Sequence, residues 1–356
     1  MYHRLSRTAR YRWWKPLVEV VVWLVLSFLL LVVVVVPVDL ATGSVANGAQ
    51  GLALVGLSLA ILMPAAFLAA RITGRPWRGL LGVDGRLRWR WLGLCLAVAL
   101  AQVVVQSAIE VAVAWLGHPV TPTRGAWVGW ARFAPLALVV VAAIVPQAAA
   151  EEIVFRGTLV QALGAWVRPP WFAILVSSVL FGLAHWLPLA GFVSTAAFGL
   201  VAAWLTIRTG GLEAAIALHV ARNVSWFLFD AATGRSDRWV TEMFSDVSWG
   251  ATLIDVPLAV LAAAVIAAVH AGSGLASSRR GGVAAEPDDL QLREGRDHQR
   301  LHQHEGDAEQ AGIDPAGEEQ GDAVDGPERV ARNDRPDHAA GRDIAAREQR
   351  DEGGVG

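Results

Sequence analysis

Eight apolar segments alternate with polar connections along the first 271 residues of the chain. They cover residues 16–36, 51–70, 91–116, 134–165, 171–187, 189–208, 212–231 and 252–271. A hydrocarbon core about 30 Å thick is crossed by about 20 helical residues. In lipid, a helix satisfies its own backbone hydrogen bonds. The pattern therefore predicts an all-α, polytopic membrane protein with about eight transmembrane helices.

The composition changes near Gly272. Residues 1–271 hold 19 Lys and Arg against 12 Asp and Glu, whereas residues 272–356 hold 11 against 20 and contain no Phe, Trp or Tyr. Such a segment cannot bury enough apolar surface to offset the entropy lost on ordering. We predict a membrane-embedded domain over residues 1–271 and an acidic, disordered C-terminal tail over residues 272–356.

Basic residues indicate the orientation. Five Lys and Arg precede the first apolar segment, none lies in the first connection, and six lie in the second. Cytoplasmic loops carry the excess of Lys and Arg, so the N-terminus is predicted to be cytoplasmic, and eight crossings return the C-terminus to the same side. Short loops and the lack of an organellar transit signal favour a bacterial plasma membrane. No nucleic-acid partner is expected.

Charged residues interrupt the fourth apolar segment at AAAEEIVFRG, residues 148–157. Glu151, Glu152 and Arg156 lie here in an otherwise apolar run. A charge at the centre of a membrane helix costs roughly 2.5–3.5 kcal/mol even on lenient scales, so such groups usually pair, face a cavity and mark function. Two interpretations are open: a structural ion-pair cluster between helices, or a functional site.

Sequence spacing brings other polar groups toward this stretch. Glu151 lies 15 residues before Trp166, and His185 lies 14 residues after Trp171. In antiparallel helices with a rise of 1.5 Å per residue, each is about 22 Å from the intervening turn, so we expect them at the same depth. His219 and Asn223 are four residues apart and share one helix face.

Three motifs carry a resemblance to a known family. EEIVFR at 151–156, FGLAH at 181–185 and HVARN at 219–223 resemble the ordered motifs of the CAAX-protease and bacteriocin-processing family, the Abi or type II CAAX prenyl endopeptidase group of intramembrane proteases. The motif core spans residues 134–231. The resemblance implies an endopeptidase that cleaves a membrane-associated polypeptide, such as a prenylated CAAX protein or a bacteriocin precursor.

The same residues can be assigned roles in peptide hydrolysis. The reaction needs a base that activates water and donors that stabilise the oxyanion. Glu151 is the predicted base, and His185 is predicted to help hold the water. His219 and Asn223 suit the oxyanion site. Glu152 and Arg156 are predicted to form a structural pair that orients the helix and makes two buried charges tolerable. Phe181 is predicted to have a structural or supporting role.

The sequence leaves the cofactor open. Glu151, His185 and His219 supply the nitrogen and oxygen ligands of a catalytic zinc, but the signature with two histidines and a glutamate on one helix is absent from the sequence. Hydrolysis by glutamate without metal and hydrolysis at a divalent metal such as zinc both stay possible.

Two other function classes also stay open. One is a catalytically silent membrane scaffold of the same family, and the other is a secondary transporter. Three ionisable residues close to segment ends, Asp230, Asp255 and His270, are expected to be solvated. A polar stripe on the third segment is formed by Gln102, Gln106 and Glu110. This stripe is expected either to pack against another helix or to line a cleft.

Overall fold

Eight long helices dominate the part of the chain that the computed structural model describes, which is residues 1–42, 48–118, 125–239 and 247–273. They are α1 Lys15–Ala41, α2 Gly48–Ile72, α3 Trp89–Trp115, α4 Trp130–Trp166, α5 Pro170–Ala184, α6 Leu189–Thr209, α7 Glu213–Ala232 and α8 Trp249–Gly272. Each corresponds to one predicted segment, and the all-α fold class is confirmed. All lie in one compact unit, Met1–Ala284.

Six of these helices are long and apolar enough to cross a membrane. The two others are α5, whose 15 residues extend only about 22 Å, and α7, which carries Glu213, Arg222 and Asp230. The acidic tail predicted over residues 272–356 lies outside the described residues except for Gly272 and Ser273. The domain boundary at this point stays a prediction.

Helix α7 packs against α3, α4 and α6, so it lies among the other helices of the motif region. Small residues let helix backbones come close, and one of them lies where α6 packs against α5. An added Cβ on Gly199 of α6 would lie 3.0 Å from Cα of Ser178 and 3.4 Å from Nη2 of Arg156. The glycine therefore makes room for an arginine side chain between α4, α5 and α6.

The N-terminal residues before α1 pack on the rest of the chain. Tyr2 is buried and donates a hydrogen bond from its hydroxyl to the Leu80 carbonyl at 2.8 Å. Trp166, at the end of α4, donates from its indole nitrogen to the Trp13 carbonyl at 2.6 Å. The sequence pattern identified this segment only as a basic flank. In the fold it also fixes the α4–α5 turn.

A buried polar network ties α1 to the same end of α4. The Arg75 guanidinium lies 2.7 Å from the Glu19 carboxylate and donates to the Gln161 side chain at 2.7 Å. Gln161 in turn donates to the Gly79 carbonyl at 2.9 Å. These contacts hold the segment that follows the charged stretch of α4 in a defined position.

The expectation that three ionisable residues near helix ends are solvated is wrong. Asp230, Asp255 and His270 are all buried. Asp230 lies 3.2 Å from Nε of Arg235, and the His270 ring packs edge-on against Trp91 with centroids 5.3 Å apart. The prediction failed because the face of each helix that packs against other helices continues to the helix end. A residue near that end is therefore buried when it lies on this face.

The predicted orientation can be checked with two exposed residues. We expect a cysteine at His118, in the third connection, to react with an impermeant thiol reagent added outside intact cells, and a cysteine at Arg86, in the basic second connection, to react only after permeabilisation. Both side chains are exposed, and the native Cys95 is buried, so the background should be low. If only the Arg86→Cys variant were labelled in intact cells, the predicted orientation would be wrong and the opposite orientation would hold.

Candidate active site

The charged stretch of α4 lies where the helix changes its winding. Glu151 and Glu152 end the α-helical part, and a π-helical segment, Ile153–Leu159, follows at once. Wider turns of this kind occur often at functional sites because they redirect side chains. Glu151, Glu152 and Arg156 are all buried, so their charges must be satisfied within the protein.

Glu152 and Arg156 form the expected pair, with Nη1 and Oε1 3.0 Å apart and both side chains fully buried. The guanidinium also lies 4.3 Å from the ring centroid of Phe181 and donates to the Gly199 carbonyl at 3.4 Å. Hydrogen bonds to the other atoms of a buried pair decide how well its burial is tolerated. Here Oε2 of Glu152 and Nε of Arg156 have no hydrogen-bond partner among the described residues. The pair joins α4 to α5 and α6.

Glu152 also orients His219, a contact that the sequence analysis did not predict. Its Oε1 lies 2.7 Å from Nδ1 of His219 on α7. Because an ionised carboxylate only accepts, Nδ1 carries the proton. In the neutral imidazole, Nε2 of His219 then has a free lone pair and faces away from Glu152.

His185 is oriented in the same way by its own helix. Its Nδ1 lies 2.7 Å from the Phe181 carbonyl oxygen, which can only accept, so Nδ1 again carries the proton and Nε2 is the acceptor. The side chain is 31% exposed. It is therefore the more open of the two imidazoles, and the following residue, Trp186, is 86% exposed.

Both free imidazole nitrogens lie near one carboxylate oxygen. Oε2 of Glu151 is 3.7 Å from Nε2 of His219 and 3.9 Å from Nε2 of His185. Gln147, one turn earlier on α4, donates to the other oxygen, Oε1. Oε2 is buried and has no hydrogen-bond partner among the described residues. Three helices thus present one carboxylate oxygen and two nitrogen lone pairs to the same small volume.

Aromatic rings enclose this polar centre on one side. The Phe181 ring centroid lies 4.6 Å from that of His185 and 5.8 Å from that of His219, and the Phe198 centroid lies 5.2 Å from that of His219. These apolar faces fix the imidazole planes and lower the local dielectric. Charge interactions in the centre are therefore stronger than in water.

The structure brings together most of the residues that the sequence singled out. Those in mutual contact are Glu151, Glu152, Arg156, Phe181, His185 and His219. Asn223 lies one turn after His219, half-buried, and makes no hydrogen bond to the described residues. The sequence analysis missed Gln147, although its spacing of four from Glu151 was visible, and Phe198, which no motif marks.

The arrangement does not fit the zinc site that Glu151, His185 and His219 suggested. Neighbouring ligands of a tetrahedral zinc bound at about 2.0–2.1 Å lie about 3.3 Å apart, and the separations here are 3.7 and 3.9 Å. Within residues 1–42, 48–118, 125–239 and 247–273, no group of three or more His, Cys, Asp or Glu side chains is placed to hold a metal ion.

The motif region matches a known family. Residues 130–225 match the family model described as "Type II CAAX prenyl endopeptidase Rce1-like". A protein of Bacillus subtilis (strain 168) described as "Uncharacterized protein YyaK" is 27% identical over 179 residues, which cover 47% of this chain and 57% of that relative. The chain thus spans little more than half the length of this curated relative. No solved structure matches it.

The match begins at α4 and ends within α7, so it contains all three motifs. The family is one of CAAX-type intramembrane proteases, and the apolar helices make this chain a multi-pass membrane protein. The resemblance read from the motifs is therefore confirmed over residues 130–225, which match the model of the Rce1-like type II CAAX prenyl endopeptidase family.

Proposed function

We propose that this chain is an intramembrane endopeptidase in which Glu151 activates the water that attacks a peptide bond. The observation that carries the proposal is the buried, unpartnered Oε2 of Glu151, held within 4 Å of two imidazole nitrogens. An unsatisfied buried carboxylate oxygen is destabilising. Its retention between two bases is accounted for if it binds a reacting water.

The first step is attack on the scissile carbonyl. Glu151 takes one proton from the water while the water oxygen forms a bond to the carbonyl carbon. Gln147 occupies Oε1, which leaves Oε2 as the atom that accepts the proton. Nε2 of His185 accepts a hydrogen bond from the second O–H of the water and helps to aim the lone pair of the water at the carbonyl. General-base assistance of this kind contributes roughly 10²–10⁴ in rate.

The second step is collapse of the tetrahedral intermediate. The C–N bond breaks, and the proton held by Glu151 passes to the leaving amine nitrogen. The oxyanion needs an N–H donor. Nε2 of His219 donates only as imidazolium because Nδ1 carries the proton of the neutral form, so Asn223, on the same face of α7, is the neutral donor. The sequence analysis, in contrast, assigned both His219 and Asn223 to the oxyanion site.

The substrate is a membrane-associated polypeptide, of the prenylated CAAX or bacteriocin-precursor type that the family implies. The protein works in the plasma membrane of a bacterium with both termini in the cytoplasm, as the arginine distribution predicts. The lipid bilayer is then a partner of both enzyme and substrate. The half-exposed His185 and the exposed Trp186 beside it lie on the side from which such a substrate reaches the centre.

The test is cleavage by purified protein in liposomes. The separations at the centre do not fit zinc, so we expect a fluorogenic, lipid-anchored peptide to be cleaved at an unchanged rate after exhaustive treatment with a chelator. Mass spectrometry of the products in ¹⁸O-water should show one ¹⁸O in the new carboxylate.

Three results would contradict this prediction or the proposed function. Loss of activity on chelation with recovery on added zinc would show that the residues do bind a metal. No cleavage of any peptide by folded protein would favour the scaffold, and substrate uptake into liposomes without cleavage would favour the transporter.

A further inference from the structure

A small polar cleft lies at the predicted cytoplasmic end of the helices, where α1 begins and α2 ends. Its walls come from the N-terminal segment, residues 1–14, from the first turns of α1 and from residues 73–75, which directly follow α2. Trp13 and Trp14 directly precede α1 and are exposed. Because Trp at helix ends lies at the level of the lipid headgroups, the cleft faces that region of the membrane.

Three donors in this cleft lack an acceptor. Ser6 is 8% exposed and Arg75 is 7% exposed, yet neither Oγ of Ser6 nor Nε of Arg75 has a hydrogen-bond partner among the described residues. The half-buried Lys15 lines the same cleft, and its ammonium makes no ion pair or hydrogen bond within the described chain. A buried donor without an acceptor is destabilising. The cleft is therefore incomplete until it holds a group that accepts hydrogen bonds.

The charge of the cleft favours an anion. Glu19 neutralises Arg75, with Oε1 and Nη1 2.7 Å apart, and its second oxygen accepts from the Thr73 hydroxyl at 3.4 Å. The carboxylate is thus occupied on both oxygens, and the cleft keeps the positive charge of Lys15. One net positive charge and three donors suit a phosphate group, whose ionised oxygens accept strong, charge-assisted hydrogen bonds.

The surface next to the cleft indicates where the phosphate comes from. Leu17, Val21 and Leu24 follow Lys15 on α1 at intervals of four and three residues, so they form one stripe on the helix. All three are exposed. An acyl chain can lie along this stripe while its headgroup reaches the cleft, whereas a soluble phosphate would make no use of it.

We propose that this cleft binds the phosphate of an anionic phospholipid headgroup, with Lys15, Ser6 and Nε of Arg75 as donors to its oxygens. Basic pockets between transmembrane helices on the cytoplasmic side bind anionic headgroups in this way. The inference goes beyond the proposed function and does not depend on it, because no residue placed in the catalytic centre lines the cleft.

The bound lipid stabilises the N-terminal segment on the α4–α5 turn. Tyr11 donates from its hydroxyl to the Ala165 carbonyl at 3.3 Å, and Nε2 of His3 lies 3.0 Å from the Arg168 carbonyl oxygen. A headgroup that contacts Ser6 adds a further contact to this segment. Since a ligand that binds only the folded state raises its stability, the lipid should raise the unfolding temperature.

The first experiment uses the full chain, delipidated in a neutral detergent. Phosphatidylglycerol, phosphatidylcholine with the same acyl chains, and inorganic phosphate are titrated separately, and binding is followed by native mass spectrometry and by thermal unfolding. We expect phosphatidylglycerol to bind at least roughly tenfold more tightly than phosphatidylcholine, whose headgroup also carries a cation. Equal binding of the two lipids would overturn the proposal. Inorganic phosphate that stabilises the protein as much as phosphatidylglycerol would overturn the lipid as the source of the phosphate.

The second experiment compares two variants that each lose one positive charge. Lys15→Gln should weaken phosphatidylglycerol binding at least roughly tenfold, because a hydrogen bond to a charged group is lost. Arg12→Gln, at an exposed position of the same segment, is the control and should weaken it by no more than about fivefold, the general attraction of one basic residue to anionic lipid. Equal losses in the two variants would overturn the site.

A third variant tests the buried hydroxyl. Ser6→Ala should leave the lipid-free protein at least as stable as the wild type, because it removes an unsatisfied donor. It should also reduce the rise in unfolding temperature that phosphatidylglycerol causes. A Ser6→Ala protein with the full wild-type response to the lipid would contradict the role of Ser6 in the cleft.

Discussion

Replacing Glu151 with glutamine is expected to lower the turnover of a membrane-associated peptide by at least roughly 10²–10⁴-fold. Glutamine keeps the shape of the side chain but cannot take the proton from water. It also places an amide where Gln147 now donates to a carboxylate oxygen. Peptide binding should survive because the imidazoles and the aromatic rings are untouched. The measurement is single-turnover cleavage together with binding of a labelled peptide.

The controls for this prediction come from two other histidines. His219→Ala should also abolish cleavage, since it removes one of the two nitrogens near Glu151. His118→Ala should not, because that side chain is exposed in the connection between α3 and α4. His270 is a poor control because it is buried against Trp91. Parental turnover in folded Glu151→Gln protein would show that Glu151 is not the base.

Replacing Arg156 with alanine is expected to lower the free energy of unfolding by about 3–5 kcal/mol, the cost of breaking a buried ion pair. Glu152 would be left without its cation in a fully buried position. The contact with the Phe181 ring would also be lost. The measurement is denaturant or thermal unfolding in detergent, followed by the cleavage assay on the fraction that remains folded.

A double variant separates the two roles of Glu152, which pairs with Arg156 and orients the ring of His219. In Glu152→Gln/Arg156→Met both charges are gone, so we expect much of the stability to return. Activity should stay low because His219 Nδ1 no longer faces a carboxylate. Arg71→Ala, which alters an exposed arginine at the end of α2, should change neither quantity by much. A stable Arg156→Ala protein would show that the pair is not needed for folding.

The sequence predicted the helices well because a bilayer imposes a simple length rule. Each apolar segment became one helix, with ends shifted by a few residues at most. The approach of Glu151 and His185 also followed from the constant rise of two helices on either side of one turn. The pair of Glu152 and Arg156 was predicted because opposite charges in an apolar run are tolerable when they pair, and its N–O distance is 3.0 Å.

The rotation of each helix about its axis was beyond the sequence. Asp255 and His270 were expected in solvent, and both are buried, since hydropathy along a segment does not say which face packs. The contact of Glu152 with His219 joins residues 67 positions apart, and no local spacing encodes it. Phe198 likewise contacts the centre only because α6 packs beside α7.

Helix α5 has a consequence for the surrounding lipid. Its 15 residues extend only about 22 Å, some 8 Å less than a typical hydrocarbon core. Hydrophobic mismatch of this size is relieved by local thinning of the bilayer or by tilting of neighbouring helices. Thinning would bring the interface, with its water, toward the end of α5, where His185 lies. A soluble reactant then has a short path to a centre that is otherwise walled by apolar side chains.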